Sequence, residues 1–157
     1  MFWPTIRVGG VATSLPLACV CLLALACTSP TGVSQDLAAA RERWSSAAIP
    51  SYQVTVYRSC ECSPEVTRPV VVTVRNGVVE SRRYTDTGSP VSAAFSATFP
   101  SVDELFGIMA RAIASHVYLL DARYDPELGF PSSVYIDADS RMVDDETSYI
   151  LTDFHVP

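Results

Sequence analysis

Apolar positions along this chain change period twice. Residues Val8 to Ala26 form a nearly unbroken apolar run behind a single cation, Arg7. From Asp36 to Ala47 the apolar residues Leu37, Ala40 and Trp44, continued by Ala48, fall at helical spacing. That spacing predicts a helix with one buried stripe and Trp44 in the core, capped by Ser34 and with Asp36 in its first turn. Ile49-Pro50 ends it, because the residue before proline avoids the α region. At Ser51 the period drops to two: Tyr52, Val54 and Val56 alternate with Gln53, Thr55 and Tyr57, the mark of a half-buried strand. A second strand is expected from Pro69 to Arg75, and Asn76-Gly77 closes a hairpin, since both turn positions want positive φ. The turn sets a register: Arg75 opposite Val78, Val74 opposite Val79, Thr73 opposite Glu80 and Val72 opposite Ser81. Val70, Val72, Val74 and Val79 would then share one face, with Thr73, Arg75, Glu80 and Arg82 on the other.

Thr85 to Phe99, rich in Ser, Thr, Ala and Pro, reads as a loop, and so does the earlier stretch from Cys60 through Ser63-Pro64. Ser101-Val102-Asp103-Glu104 is a capping box that opens a second helix, whose Leu105, Phe106, Ile108, Met109, Ala112 and Ile113 make an apolar face wide enough to lie on a sheet. His116 falls in its last turn, where the helix dipole favours a solvated cation. Three more strands follow: Val117 to Asp125, Ser133 to Asp137, and Thr147 to Phe154, where Tyr149 and Leu151 alternate with Ile150 and Thr152. The loop Asp125 to Pro131 is stiffened by its prolines. Helix, three strands, helix, three strands predicts an α+β two-layer sandwich, an antiparallel sheet of about six strands with two helices on one face. The halves look alike in element order but share too little identity to form a repeat.

A chain of 157 residues has room for one domain with a real core. The opening run reads as a signal peptide over residues 1–26; Gly9, Gly10 and Pro16 argue against a retained membrane helix. Leu23-Ala24-Leu25-Ala26-Cys27 resembles a lipobox, in which a small residue precedes a cysteine that takes lipid (diacylglycerol, palmitate). Ala24 stands where that motif prefers Leu, and Ala24-Leu25-Ala26 also suits ordinary signal peptidase. Lipidation of Cys27 is the favoured reading, because the residue is otherwise an unpaired thiol in an exported protein. Residues 27–35 then form a tether and residues 36–157 the domain. The expected address is the bacterial cell envelope, facing the periplasm or exterior. In a host with two membranes it is the outer one, since Thr28 rather than Asp follows the lipid-bearing cysteine. The partners expected are the membrane, through the lipid, and an envelope protein.

Charge narrows the partners further. The 11 basic residues are all Arg, the formal net charge is −6, and the excess acid lies almost wholly in residues 121–157. An acidic face disfavours nucleic acid and anionic headgroups and suits a basic protein or a divalent cation. Asp137, Asp139, Asp144, Asp145 and Glu146 make a candidate acidic site. It is not an EF-hand, because Arg141 stands where a third oxygen ligand belongs and Met142 where the turn needs Gly. A looser oxygen-ligand site, a solvated hairpin tip, or pairing with the Arg75 and Arg82 face remain open.

Cys19 and Cys21 leave with the leader, so Cys60 and Cys62 are the disulfide candidates. Three readings compete for them: a loop staple, a redox-active dithiol, or half a soft-metal site for which only His116 and His155 offer imidazole. Against the second, Glu61 and Glu65 are expected to offset Arg58. No catalytic residue, metal site or cofactor is assigned: nucleophile motifs, phosphate loops and paired metal-ligand histidines are not found in the sequence.

Cys60-Glu61-Cys62-Ser63-Pro64-Glu65, Arg68-Pro69-Val70, Asn76-Gly77, Ser101-Val102-Asp103-Glu104-Leu105-Phe106, Tyr124 to Pro131 and Asp144 to Tyr149 resemble, in order and spacing, a family of bacterial lipoproteins, domain of unknown function 6174. The resemblance covers about residues 36–155. It implies an exported, usually lipid-anchored small domain and carries no catalytic residues. The expected role is non-catalytic binding or accessory function in the envelope, with thiol redox or soft-metal chemistry at Cys60 and Cys62 as the alternative. Mass spectrometry of the mature N-terminus is expected to find Cys27 as first residue carrying lipid. A chain that begins at Met1, or a Cys27 terminus free of lipid, would overturn the anchor.

Overall fold

A computed structural model of the chain describes residues 32–142 and 144–157. The expected signal peptide, Cys19, Cys21, the lipidation candidate Cys27 and the first part of the tether lie outside the described residues. The elements in order are α1 (Gly32–Ala47), β1 (Tyr52–Ser59), α2 (Pro64–Thr67), β2 (Val70–Arg75), β3 (Val78–Tyr84), α3 (Val102–Ala114), β4 (Leu119–Tyr124), β5 (Pro131–Asp137) and β6 (Thr147–His155). The strands form one six-stranded sheet in the order β3-β2-β1-β6-β5-β4, antiparallel at every pairing. This is the expected α+β arrangement. The halves differ in path, however: the first meander runs from the centre to an edge, the second from the opposite edge back to the centre. Helix α3 carries the chain between the two edges.

Helices α1 and α3 touch each other and cover one face of the sheet. That face carries Val54, Val56, Val70, Val72 and Val134, all fully buried, against Leu105, Phe106 and Met109 of α3. Each of these side chains contributes about 1.5–3 kcal/mol by leaving water, which makes the valine-rich strands and the apolar helix face one unit. Helix α1 buries Leu37, Ala40 and Trp44 as its spacing predicts. It begins at Gly32 rather than Asp36, so Ser34 sits inside it and Asp36 is beyond the first turn. Ala48 does not extend the stripe; it is exposed in the left-handed region at φ 48°, where the helix stops.

Two β-bulges re-aim side chains that simple alternation misplaces. Asn76 and Gly77 adopt φ 50° and 77°, and the hairpin register starts as expected with Arg75 opposite Val78 and Val74 opposite Val79. It then slips, placing Ser81 rather than Glu80 opposite Thr73 and Arg82 rather than Ser81 opposite Val72. An extra residue on one strand reverses the facing of everything beyond it. Arg82 is therefore on the helix side, not beside Arg75. Its Nε–H donates to the Phe99 carbonyl (2.7 Å), Nη1 to Ser96 Oγ (3.2 Å) and Nη2 to Glu104 Oε2 (2.6 Å). The same Glu104 oxygen accepts from the Ser101 amide (2.7 Å), completing the capping box of α3. The second bulge lies between Thr152 and His155 of β6, with Asp153 at φ 51°. It turns Phe154 onto Tyr52 and Phe130, with ring centroids 5.3 and 4.7 Å away, while Trp44 meets all three rings edge-on.

Trp44 and Tyr52 have their polar atoms matched. The Trp44 indole N–H donates to Asp103 Oδ1 (3.1 Å), and the Val102 amide donates to the Tyr52 hydroxyl oxygen (3.0 Å). Burial pushes that hydroxyl up to about 12, so it stays neutral. His116 lies past the end of α3 at φ 55°, where its amide donates to Ile113 and the Val117 amide to Ala112, a Schellman closure. Val117 thus belongs to the helix stop, the Tyr118 amide donates to the Ala138 carbonyl (3.3 Å), and β4 starts at Leu119. The β4–β5 loop is an Asx turn in which Asp125 Oδ1 accepts from the Glu127 and Leu128 amides. It brings Gly129 against α1.

A Cβ on Gly129 would stand 2.4 Å from the Ala40 carbonyl oxygen, at φ 81°. Gly129→Ala is expected to cost about 3 kcal/mol or more, read as a fall in urea midpoint; a change within about 0.5 kcal/mol would contradict this packing. Arg82→Ala should cost about 3 kcal/mol, since it strands a buried carbonyl. Burial raises the Glu104 carboxyl, but the Ser101 amide and Arg82 outweigh it and hold the group below its ordinary 4.5. The stability it contributes is complete above 4.5 and is lost as pH falls through the lower folded value; Glu104→Gln should flatten that acid limb in thermal melts.

Candidate functional site

The period of β1 places Val56 and Arg58 on the helix side and Tyr57 on the outer face. Arg58 pairs across the sheet with Tyr149 of β6. Its guanidinium Nη1–H donates to Cys62 Sγ (3.3 Å), and its Nε is buried without a partner. Among the described residues Arg58 makes no ion pair. The sulfurs of Cys60 and Cys62 lie at bonding distance, 2.05 Å, with Cα atoms 5.3 Å apart. The Cys62 amide donates to the Cys60 carbonyl (2.8 Å), a three-residue turn. Cys60 is half-buried and Cys62 exposed.

Directly after the pair comes α2, in a stretch expected to be loop. The signal was present, because Pro64 at a first helical position has its fixed φ in the helical range and no amide to lose. Four residues offer no period, so nothing else marked it. Val66 is buried beneath the turn, the Tyr84 hydroxyl donates to the Glu65 carbonyl (3.0 Å), and Arg68 pairs with Asp86 while its guanidinium lies 4.0 Å over the Tyr84 ring. The loop behind the cysteines is therefore pinned to β3. A hydrogen bond from Ser63, its own backbone amide and the charge of Arg68 hold Glu65 below the ordinary carboxylate value. Glu61 is exposed and makes no ion pair among the described residues. Neither carboxylate forms an ion pair with Arg58 among the described residues.

The five candidate acids divide into three groups. Asp139 folds back onto Arg141, which donates to both its oxygens (3.0 and 2.7 Å) and lowers its pKa. Asp144 is exposed at φ 75°. Asp137, Asp145 and Glu146 crowd together near Tyr135, and Asp137 is raised above its ordinary value by burial and by the Asp145 and Glu146 charges. One oxygen each of Asp137 and Asp145 is buried without a partner. Of the alternatives left open for these acids, pairing with Arg75 and Arg82 does not occur, because Arg75 pairs with Glu80 (3.5 Å) and Arg82 with Glu104. No group of three or more His, Cys, Asp or Glu side chains is arranged to hold a metal ion among the described residues. His155 lies opposite Gln53, at the far end of β1 from Cys60, about 20 Å along the strand.

The sheet face away from the helices brings together residues that alternation alone kept apart. Tyr57 (38% exposed) is the cross-strand neighbour of Ile150 (42% exposed). Asp121 lies opposite Tyr135, and Leu119 opposite Asp137. An apolar pair thus sits at the middle of the outer face, with the crowded carboxylates toward one end.

A family model, described as a family of unknown function, DUF6174, matches residues 36–156. The chain belongs to DUF6174. The matched region takes in every strand and the whole of α3, so this fold is that of the DUF6174 domain. No curated protein and no solved structure gives a significant match. Among the described residues of the DUF6174 domain no helix is long and apolar enough to cross a membrane.

Proposed function

We propose that this DUF6174 chain is an exported, lipid-anchored binding or accessory domain of the bacterial cell envelope that takes a basic polypeptide on its outer sheet face. The leader ending at Cys27 supports the anchor, and the joined Cys60 and Cys62 sulfurs fit an oxidising compartment. One observation carries the binding reading: the exposed Tyr57–Ile150 pair shares the outer sheet face with Asp137, about 13 Å along β5 from the Ser133 that faces Ile150, where the charges of Asp145 and Glu146 raise the Asp137 carboxyl. A Lys or Arg arriving there relieves that repulsion, while its neighbours cover the apolar pair. The soft-metal reading has no third ligand beside the sulfurs among the described residues.

Fluorescence anisotropy with Lys/Arg-rich peptides, and with Glu-rich peptides of equal length as control, tests this role. The basic peptides are expected to bind and the acidic ones not, with affinity falling as salt rises. Asp137→Asn with Asp145→Asn, and separately Tyr57→Ser with Ile150→Ser, should each weaken binding about tenfold, or about 1.4 kcal/mol. Because Asp137 is raised above 3.8, binding should decline on acidification before an ordinary aspartate protonates. Equal binding of both peptide classes, or variants that bind like the native chain, would remove the proposal.

A further inference from the structure

A guanidinium half-buried on a sheet face ordinarily finds a carboxylate, because its charge is costly to leave uncompensated. Arg58 has a sulfur instead. Its backbone is fixed by the ladder to β6 opposite Tyr149, its Nε is enclosed, and Nη1 points at Cys62 Sγ from 3.3 Å. Neither Glu61 nor Glu65 forms an ion pair with it among the described residues. A disulfide sulfur is only a weak acceptor, so this contact contributes little while the two cysteines are joined. When Cys62 is a thiolate, the same geometry becomes a charge-assisted hydrogen bond. Arg58 therefore stabilises the reduced pair more than the oxidised one, and does so at the sulfur that solvent reaches.

We propose that Cys60 and Cys62 form a thiol–disulfide exchange site which accepts two electrons from a pair of cysteine thiols on a polypeptide substrate, with Cys62 the sulfur attacked and Arg58 the residue that holds its thiolate. In the first step a substrate thiol gives its proton to solvent and its thiolate attacks Cys62 Sγ. The Sγ–Sγ bond breaks, and its electron pair goes to Cys60, which takes a proton from solvent. In the second step the other substrate thiol, deprotonated, attacks the substrate sulfur of the mixed disulfide. That bond breaks toward Cys62, which leaves as a thiolate beside Arg58. The substrate ends as a disulfide, and the site ends as one thiol and one thiolate, two electrons richer. A second, disulfide-bonded substrate reverses the steps and restores the pair. The pinned α2 turn keeps Cys62 in place for both directions, since Val66 and the Tyr84–Glu65 hydrogen bond anchor the chain behind it.

The test uses the full chain, equilibrated with graded mixtures of reduced and oxidised glutathione, thiol-trapped and mapped by peptide mass spectrometry so that Cys60 and Cys62 are read apart from Cys19, Cys21 and Cys27. The native pair is expected to exchange with glutathione. After full reduction, Cys62 should alkylate faster than Cys60 at pH values below about 8.5, the ordinary thiol value. Arg58→Gln should shift the equilibrium about tenfold toward the disulfide, which is about 30 mV for this couple, and erase the Cys62 preference. Arg58→Lys, which keeps the charge, should restore most of both. A peptide carrying two thiols should be oxidised in a one-to-one ratio by the oxidised chain. A pair that stays joined in every glutathione mixture, or a Cys60 that alkylates first, overturns the proposal in the native chain alone. So does an Arg58→Gln chain of native circular dichroism with an unmoved equilibrium.

Discussion

Antiparallel pairing of the first strand with the last is the constraint on which this fold rests. Strand β1 lies between β2 and β6, and only through β6 do the two three-stranded meanders become one sheet. Each meander alone offers half a core, and a three-stranded sheet with one covered face is near the lower limit of independent stability. Joining them brings together residues about a hundred positions apart, a loop closure whose entropic cost rises slowly with length but must be met before the core forms. The helices depend on the same pairing. Helix α3 reaches from β3 to β4 across the joined sheet, and α1 packs on α3 and β4.

Along β1 the consequences can be followed residue by residue. Tyr52 at its start enters the aromatic cluster with Trp44, Phe130 and Phe154, and Val54 and Val56 fill the middle of the core. Tyr57 meets Ile150 on the outer face, and Arg58 is aimed by its pairing with β6 at the sulfur beyond the strand end. The binding face and the thiol pair are thus two outputs of one ladder. Two of the three register shifts serve the same assembly, one delivering Arg82 to the start of α3 and the other delivering Phe154 to the rings.

Electrostatics divides the surface by how local each partner is. Asp139 is satisfied by Arg141 two residues away, and Arg75 by Glu80 across its own hairpin, so these charges take no part in a wider site. Asp137 and Arg58 are two of the groups whose own neighbourhoods leave them incompletely matched. One is a carboxylate among carboxylates, the other a cation beside a sulfur. Opposite charges in both places would have made the surface more stable and chemically quieter.

What the sequence by itself determined are the features settled within a few residues: the strand alternation of β1, the Asn76-Gly77 turn, the Ser101–Glu104 capping box, the buried stripe of α1 and the family motifs. Each rests on backbone sterics or a short-range hydrogen bond that no distant residue is needed to form. The α2 turn was legible only through Pro64. Of the site, the sequence supplied Cys60, Cys62 and the acids but placed Arg82 on the wrong face and left the Cys62 partner of Arg58 unseen. Only the tertiary structure decided the strand order, the bulges, the meeting of Tyr57 with Ile150 and the partner of Arg58. These depend on contacts between segments far apart in the chain. A buried carbonyl at Phe99 or an aromatic cluster around Trp44 outweighs the local preference for regular alternation, and no window of neighbouring residues contains that competition.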